Sequence, residues 1–152
     1  MDFIAFDLET TGTAPESDRI VEIGAVRFIN NEPRDTFVQL VHPGRAIPPD
    51  ASRVSGITDE MVKDQPPVQD VLPLFADFCG RMDMVAHNAR FDFRFIQAAV
   101  KEYRCPAPRG MVFDTFALAK RIFPGLSNHR LSTLVSHFEI RSGTFHRAAE
   151  DA

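Results

Sequence analysis

Two acids, Asp7 and Glu9, sit one residue apart in the stretch Phe3-Ile4-Ala5-Phe6-Asp7-Leu8-Glu9. The surrounding residues are strongly β-prone, and alternation along a strand sends both carboxylates to the same side. Two like charges about 4 Å apart at an effective dielectric near ~20 repel by roughly 4 kcal/mol, so such a pair calls for a cation, a shared proton or intervening water. A divalent cation is the functional resolution; the bland one is a Glu9 that points into solvent at the strand end. Further along, Ala86-His87-Asn88-Ala89-Arg90-Phe91-Asp92 runs from a buried strand into a helix whose first turn carries Asp92. A carboxylate there either serves a site or simply complements the helix dipole. Towards the other end of the chain, His146-Arg147-Ala148-Ala149-Glu150-Asp151 sets a histidine and an acid around small residues near an expected helix start. Histidine exchanges protons near neutral pH, although an isolated one is more often a surface or satisfied side chain.

These groups need a scaffold. Strands are expected at about 3–8, 20–28 and 36–41 as an antiparallel meander, with Thr10-Thr11-Gly12 turning out of the first. The Pro- and Gly-rich segment 42–49 sustains neither regular structure and leads, as a loop, through Val54-Ser55-Gly56-Ile57-Thr58 to Asp59. Thr58 or Asp59 is suited to cap a short helix, and Val71, Leu72, Phe75 and Phe78 give one apolar helical face over 69–79. A short buried strand at 82–86 precedes a helix reaching about Tyr103, which Cys105-Pro106-Ala107-Pro108 stops. The last strand falls at 111–113, and helices at 115–122 and 131–138 flank the Pro124-Gly125 turn. Asp114, an acid before a helix start, reads as a cap. The pattern is an α/β layer fold with a central sheet, in which functional groups gather where strand ends meet helix starts.

The string Phe6-Asp7-Leu8-Glu9-Thr10-Thr11-Gly12 resembles the first motif of the DnaQ-like (DEDDh) 3′→5′ exonucleases, a family that includes the proofreading epsilon subunit and exonuclease domains of bacterial DNA polymerase III. Val85 to Asp92 is similar to its second motif, and His146 and Asp151 have the H-x₄-D spacing of the third. All three occur in order, and Ile47-Pro48, Gly56-Ile57-Thr58 and Phe113-Asp114-Thr115 fit as well. The resemblance implies a ribonuclease H-like three-layer fold, with a five-stranded mixed sheet flanked by helices. It also implies that Asp7, Glu9, Asp92 and Asp151 bind two Mg²⁺ or Mn²⁺ ions and that His146 is the general base. The residue types suit those roles, because hard divalent ions prefer carboxylate oxygens and imidazole accepts a proton at neutral pH. Two such ions about 3.5–4 Å apart activate the attacking water and stabilise the leaving 3′ oxygen. By the same resemblance Thr10, Thr11, Gly12 and Asn88 contact substrate, and the loop 50–57 faces the 3′ nucleotide. Ile57 would then wall a base, and Ser55 stands where some relatives have a histidine.

Composition narrows the alternatives. The chain has 152 residues, 44% hydrophobic and 25% charged, which suits one globular domain without low-complexity tracts. Asp7 and Glu9 interrupt the first apolar run, and no stretch approaches the roughly 18 apolar residues of a membrane span, so a cytoplasmic protein is expected. Cys79 and Cys105 are too far apart for a C-x-x-C site and are expected as reduced thiols. Neither a G-x-S-x-G elbow nor a G-x-x-x-x-G-K-[ST] loop is present. A formal charge of −4 leaves no basic stripe to displace phosphate counterions, so cations held by the carboxylates would have to neutralise a nucleic acid locally. The expected reaction is hydrolysis of single-stranded DNA 3′ ends to nucleoside 5′-monophosphates in proofreading or repair, with a DNA polymerase subunit as partner. An RNA or oligoribonucleotide 3′ exonuclease and a weakly active polymerase-docking domain are alternatives the sequence leaves open. Because relatives continue through a full final helix after the position of Asp151, residues 1–152 are expected to form one exonuclease domain lacking the end of that helix.

Overall fold

A five-stranded sheet of order β3-β2-β1-β4-β5 organises the chain in a computed structural model that describes residues 1–140, 148 and 152. Strands β1 (Phe3–Thr10), β2 (Ile20–Ile29) and β3 (Glu32–Leu40) form the antiparallel meander. β4 (Met84–Ala86) runs parallel to β1, and β5 (Val112–Asp114) runs parallel to β4. Helices α3 (Val68–Cys79), α4 (Ala89–Tyr103), α5 (Thr115–Ile122) and α6 (Leu131–His137) follow the expected positions to within one residue at each end.

Two elements differ from expectation. β3 begins at Glu32 rather than at Thr36, because Asn30 and Asn31 both take positive φ, 54° and 66°, and so close a two-residue hairpin turn directly onto it. That turn geometry needs φ above zero at both central residues, which asparagine tolerates better than most. The segment expected as an open loop contains a helix, α1 (Pro49–Ser55), followed by the single turn α2 (Asp59–Val62). Pro49 supplies a pre-set φ at the first helical position, and Gly56 ends the helix in the left-handed region at φ 71°. Neither Thr58 nor Asp59 caps α2 through its side chain; Asp59 Oδ1 instead accepts from Ile47 N at 2.9 Å and ties the two ends of this segment together.

Alternation along β1 and β2 divides the sheet into two faces. Ile4, Phe6 and Leu8 of β1 with Ile23 and Ala25 of β2 enter the main core, where Leu72 and Phe75 of α3 and Phe95 and Ile96 of α4 cover them. Phe6 and Phe75 meet with ring centroids 6.1 Å apart. Asp7 and Glu9 therefore project from the other face, opposite Gly24 and Glu22 of β2. The register slips between Glu9 and Thr10 and leaves Val21 unpaired as a bulge. Val21 packs with Ile47, Ile57 and Val62 in a second, smaller core beneath α1 and α2. Among the described residues no helix is long and apolar enough to cross a membrane.

Candidate active site

The C-terminal half of β1 and the first turn of α4 come together at one end of the sheet. Along β1 every second amide points to the same neighbour, and Ile4 N donates to Asp83 O beside β4 at 2.8 Å. β4 stops at Ala86, so the amide of Leu8 on that same edge has outrun its partner strand. Asp92, on the first turn of α4, fills the place: its Oδ1 accepts from Leu8 N at 3.2 Å. The carboxylate is thereby held against the strand that carries Asp7 and Glu9.

Burial dominates the electrostatics of Asp92. Only 2% of the residue is exposed, and loss of water pushes the carboxyl up from 3.8 to about 7. Hydrogen bonds from its own amide and from Leu8 N oppose that rise, and the negative charge of Asp114 adds to it. A carboxylate this poorly solvated is stabilised by a proton or by a cation.

The neighbouring residues fix the backbone rather than react. Asn88 enters α4 in the left-handed region, φ 65°, and its side chain makes no capping bond. Its amide donates to Asp114 Oδ1 at 3.0 Å, and the same oxygen accepts from Phe116 N and Ala117 N at the start of α5. Asp114 is thus the expected cap, and it also joins the starts of α4 and α5. His87 Nε2 donates to the His129 carbonyl at 2.8 Å, so Nδ1 is the acceptor for the Thr115 hydroxyl at 3.0 Å. Burial lowers the His87 pKa, opposed by the His129 carbonyl and by Asp114, which suits a neutral ring with both nitrogens engaged.

Thr11 is buried, with its hydroxyl accepting from Arg19 N at 2.9 Å and donating to Asp18 Oδ1 at 3.4 Å. Its amide donates to Arg19 O at 2.8 Å. Asp18 also approaches Gly12 so closely that a Cβ there would lie 2.3 Å from Oδ2. Glycine at position 12 answers to this internal brace, and the Thr10 hydroxyl donates to the Gly12 carbonyl at 2.6 Å. Two residues expected on the substrate side, Ser55 and Ile57, are buried at the end of the helix at 49–55. Ser55 is turned inward, its hydroxyl donating to Ala51 O at 3.0 Å and accepting from Ile57 N at 3.2 Å. Ile57 is fully buried in the second core and presents no surface to a base.

Beside Glu9 lies a groove of about 420 Å³, lined by Glu9, the Thr10–Thr13 turn, Ala51 and Val54 of α1, and Phe91 of α4. Val54 was not singled out from the sequence because its place depends on a helix that the Pro-rich stretch hid, and Phe91 reads there as one of the apolar residues of α4. Glu22 was also missed, although an acid within the apolar run Ile20 to Val26 is itself a signal. It is fully buried, and its Oε2 accepts from Ala148 N at 3.1 Å. His146 and Asp151 lie outside the described residues.

Among the described residues, no group of three or more His, Cys, Asp or Glu side chains forms a ready-made cage for an ion. The donor set still fits a hard divalent cation, since Mg²⁺ is ordinarily held by one or two carboxylates with water and substrate phosphate completing its shell. Asp7 and Glu9 on one strand face, with the desolvated Asp92 alongside, supply that kind of partial shell.

The exonuclease family model designated RNase_T matches residues 4–152. This chain belongs to the RNase_T exonuclease family. It is 41% identical over 152 residues to the DNA polymerase III subunit epsilon of Treponema pallidum, covering 99% of this chain and 71% of that protein. It is 40% identical to a PolC-type DNA polymerase III of Caldanaerobacter subterraneus subsp. tengcongensis, of which it spans only 11%. A solved structure of exonuclease X in complex with 5′ overhanging duplex DNA superposes with a TM-score of 0.80 at 31% identity, covering 98% of this chain and 83% of that one. The fold is also that of an exonuclease I structure, TM-score 0.85 at 20% identity. The sheet order and the flanking helices are those of the ribonuclease H-like architecture that its exonuclease neighbours share.

Proposed function

We propose that this chain hydrolyses single-stranded DNA from the 3′ end, releasing nucleoside 5′-monophosphates, and that it does so in proofreading or repair alongside a DNA polymerase. The observation that carries the reading is the contact of the Asp92 carboxylate with the β1 backbone between Asp7 and Glu9, at the mouth of an apolar groove. Support also comes from the relatives, one of which is named as a polymerase subunit and one of which was solved with overhanging DNA. An exonuclease I structure was solved in a zinc-bound form with single-stranded DNA, which fits a family site that accepts divalent ions.

In this reading Asp7, Glu9, Asp92 and Asp151 hold two Mg²⁺ or Mn²⁺ ions. Bound there, the cations would neutralise the scissile phosphate and ease deprotonation of the attacking water. His146 takes the proton from that water. Val54 and Phe91 seat the terminal nucleotide by apolar contact and stacking, at the groove end opened by the Thr10–Thr13 turn. The turn residues Thr10 and Gly12 border the same space and Asn88, at the start of α4, contacts the substrate in this reading, whereas Thr11 holds the turn from inside.

The test is digestion of matched DNA and RNA oligonucleotides labelled at one end, with Mg²⁺ or with a chelator. Stepwise loss of mononucleotides from the 3′ end of DNA is expected, abolished by the chelator and reduced at least about a hundredfold in Asp7→Ala. Chelator-resistant cleavage, or an Asp7→Ala variant as active as the unmodified chain, would rule out the assigned centre. Preferential digestion of the RNA would replace the substrate while leaving the chemistry in place.

A further inference from the structure

Glu22 is a charged side chain in a fully buried position of β2, which no role in metal binding or substrate contact explains. A carboxylate taken out of water persists only where hydrogen bonds or charges compensate it. The structure supplies one such bond: Oε2 accepts from the backbone amide of Ala148, 126 residues along the chain, at 3.1 Å. Ala148 is helical and fully buried, so the bond is shielded from water. Across the sheet, Glu22 lies directly opposite Glu9 in the β1–β2 register. Opposed residues on an antiparallel pair share a face, so the anchor stands beside the candidate ligand.

We infer that Glu22 is a positioning residue, a buried acceptor that pins the backbone at Ala148 beside Glu9, and that the work proposed for His146 and Asp151, which flank Ala148 in sequence, depends on this anchor. The inference rests on the proposed roles of His146 and Asp151. The link is covalent: His146 precedes Ala148 by two residues and Asp151 follows it by three. Fixing one amide between them restricts both. An apolar side chain of similar volume would fill the same space and fold as well, yet would leave the amide without its acceptor.

Glu22→Met and Glu22→Gln separate these possibilities, with Asp151→Asn as a reference. Glu22→Met is expected to melt close to the unmodified chain, to lose about ten- to hundredfold in kcat with little change in KM, and to need more Mg²⁺ for half-activation. Glu22→Gln, which keeps an oxygen for the amide, should recover most of that loss. Hydrogen exchange at the Ala148 amide should be slow in the unmodified chain and in Glu22→Gln, and fast in Glu22→Met. If Glu22→Met keeps the kcat and Mg²⁺ dependence of the unmodified chain while Asp151→Asn is inactive, or if Ala148 exchange is unchanged, the anchor is overturned. An Asp151→Asn variant with full activity would overturn the reading beneath it instead, and Ala148 exchange would still decide the anchor.

Discussion

At the scale of single residues, Asp92 is where fold and chemistry compete for one group. Its carboxyl is raised from 3.8 to about 7, so between those values the folded protein holds a proton that the unfolded chain has released. The folded form then binds more protons than the unfolded one, and this contribution to stability is complete below about pH 4 and is lost as pH rises through about 7. Its ceiling is on the order of 4 kcal/mol. Without divalent cations, the unmodified chain should therefore melt lower at pH 8 than at pH 5.5, and Asp92→Asn should flatten that dependence and melt higher at pH 8. Melting curves of the two proteins in chelator across this range check it, and parallel profiles would sink the claim. Asp92 was visible in the sequence through its motif, but its depth was not. The spacing of Asp7 and Glu9 gave their common face, whereas the pairing of Leu8 N with Asp92 depends on where β4 happens to end. Cys79, expected as a reduced thiol, is free and buried, and burial pushes it up to about 12 against the pull of Arg27.

Among the elements, α1 changed the substrate side of the site most. A seven-residue helix bracketed by Pro48-Pro49 and Gly56 has almost no periodicity to reveal it, and its start and stop residues are the same ones that mark loops. Once coiled, it turns Ser55 and Ile57 inward and brings Ala51 and Val54 out to the groove. The longer helices α3 and α4 were legible because their apolar residues recur over three or more turns. Substituting Val54→Asp or Phe91→Ala should raise KM for an oligonucleotide several-fold while changing kcat less, since the proposed function has these residues seat the nucleotide away from the reacting bond. Steady-state kinetics on a short single strand would show it; unchanged KM in both variants would place the substrate elsewhere. The β2–β3 turn taught the same lesson in smaller form. Asn30-Asn31 closes a hairpin through backbone angles that a count of β-formers does not weigh.

For the molecule as a whole, the mixed sheet followed from a meander of three strands and a later alternation of strand and helix, and its order placed β1 at the centre with acids at its end. A net charge of −4 sets how such a body meets DNA. With no net positive charge to release counterions, most of the attraction is expected to come from bound cations. Binding of a nuclease-resistant phosphorothioate single strand should therefore be at least about tenfold tighter with Mg²⁺ than with chelator. Fluorescence anisotropy decides this, and equal affinity under both conditions would reject a cation-bridged contact.

The hydrogen bond from Leu8 to Asp92 has a consequence for how this protein can change. One oxygen serves as the last rung of a strand ladder as well as a candidate ligand, so losing it would fray the sheet and silence the enzyme together. A lineage drifting away from nuclease work would sooner trade Asp92 for asparagine than for alanine, keeping the carbonyl and discarding only the charge. Retired copies of this domain would then be recognisable by an amide where the acid used to be.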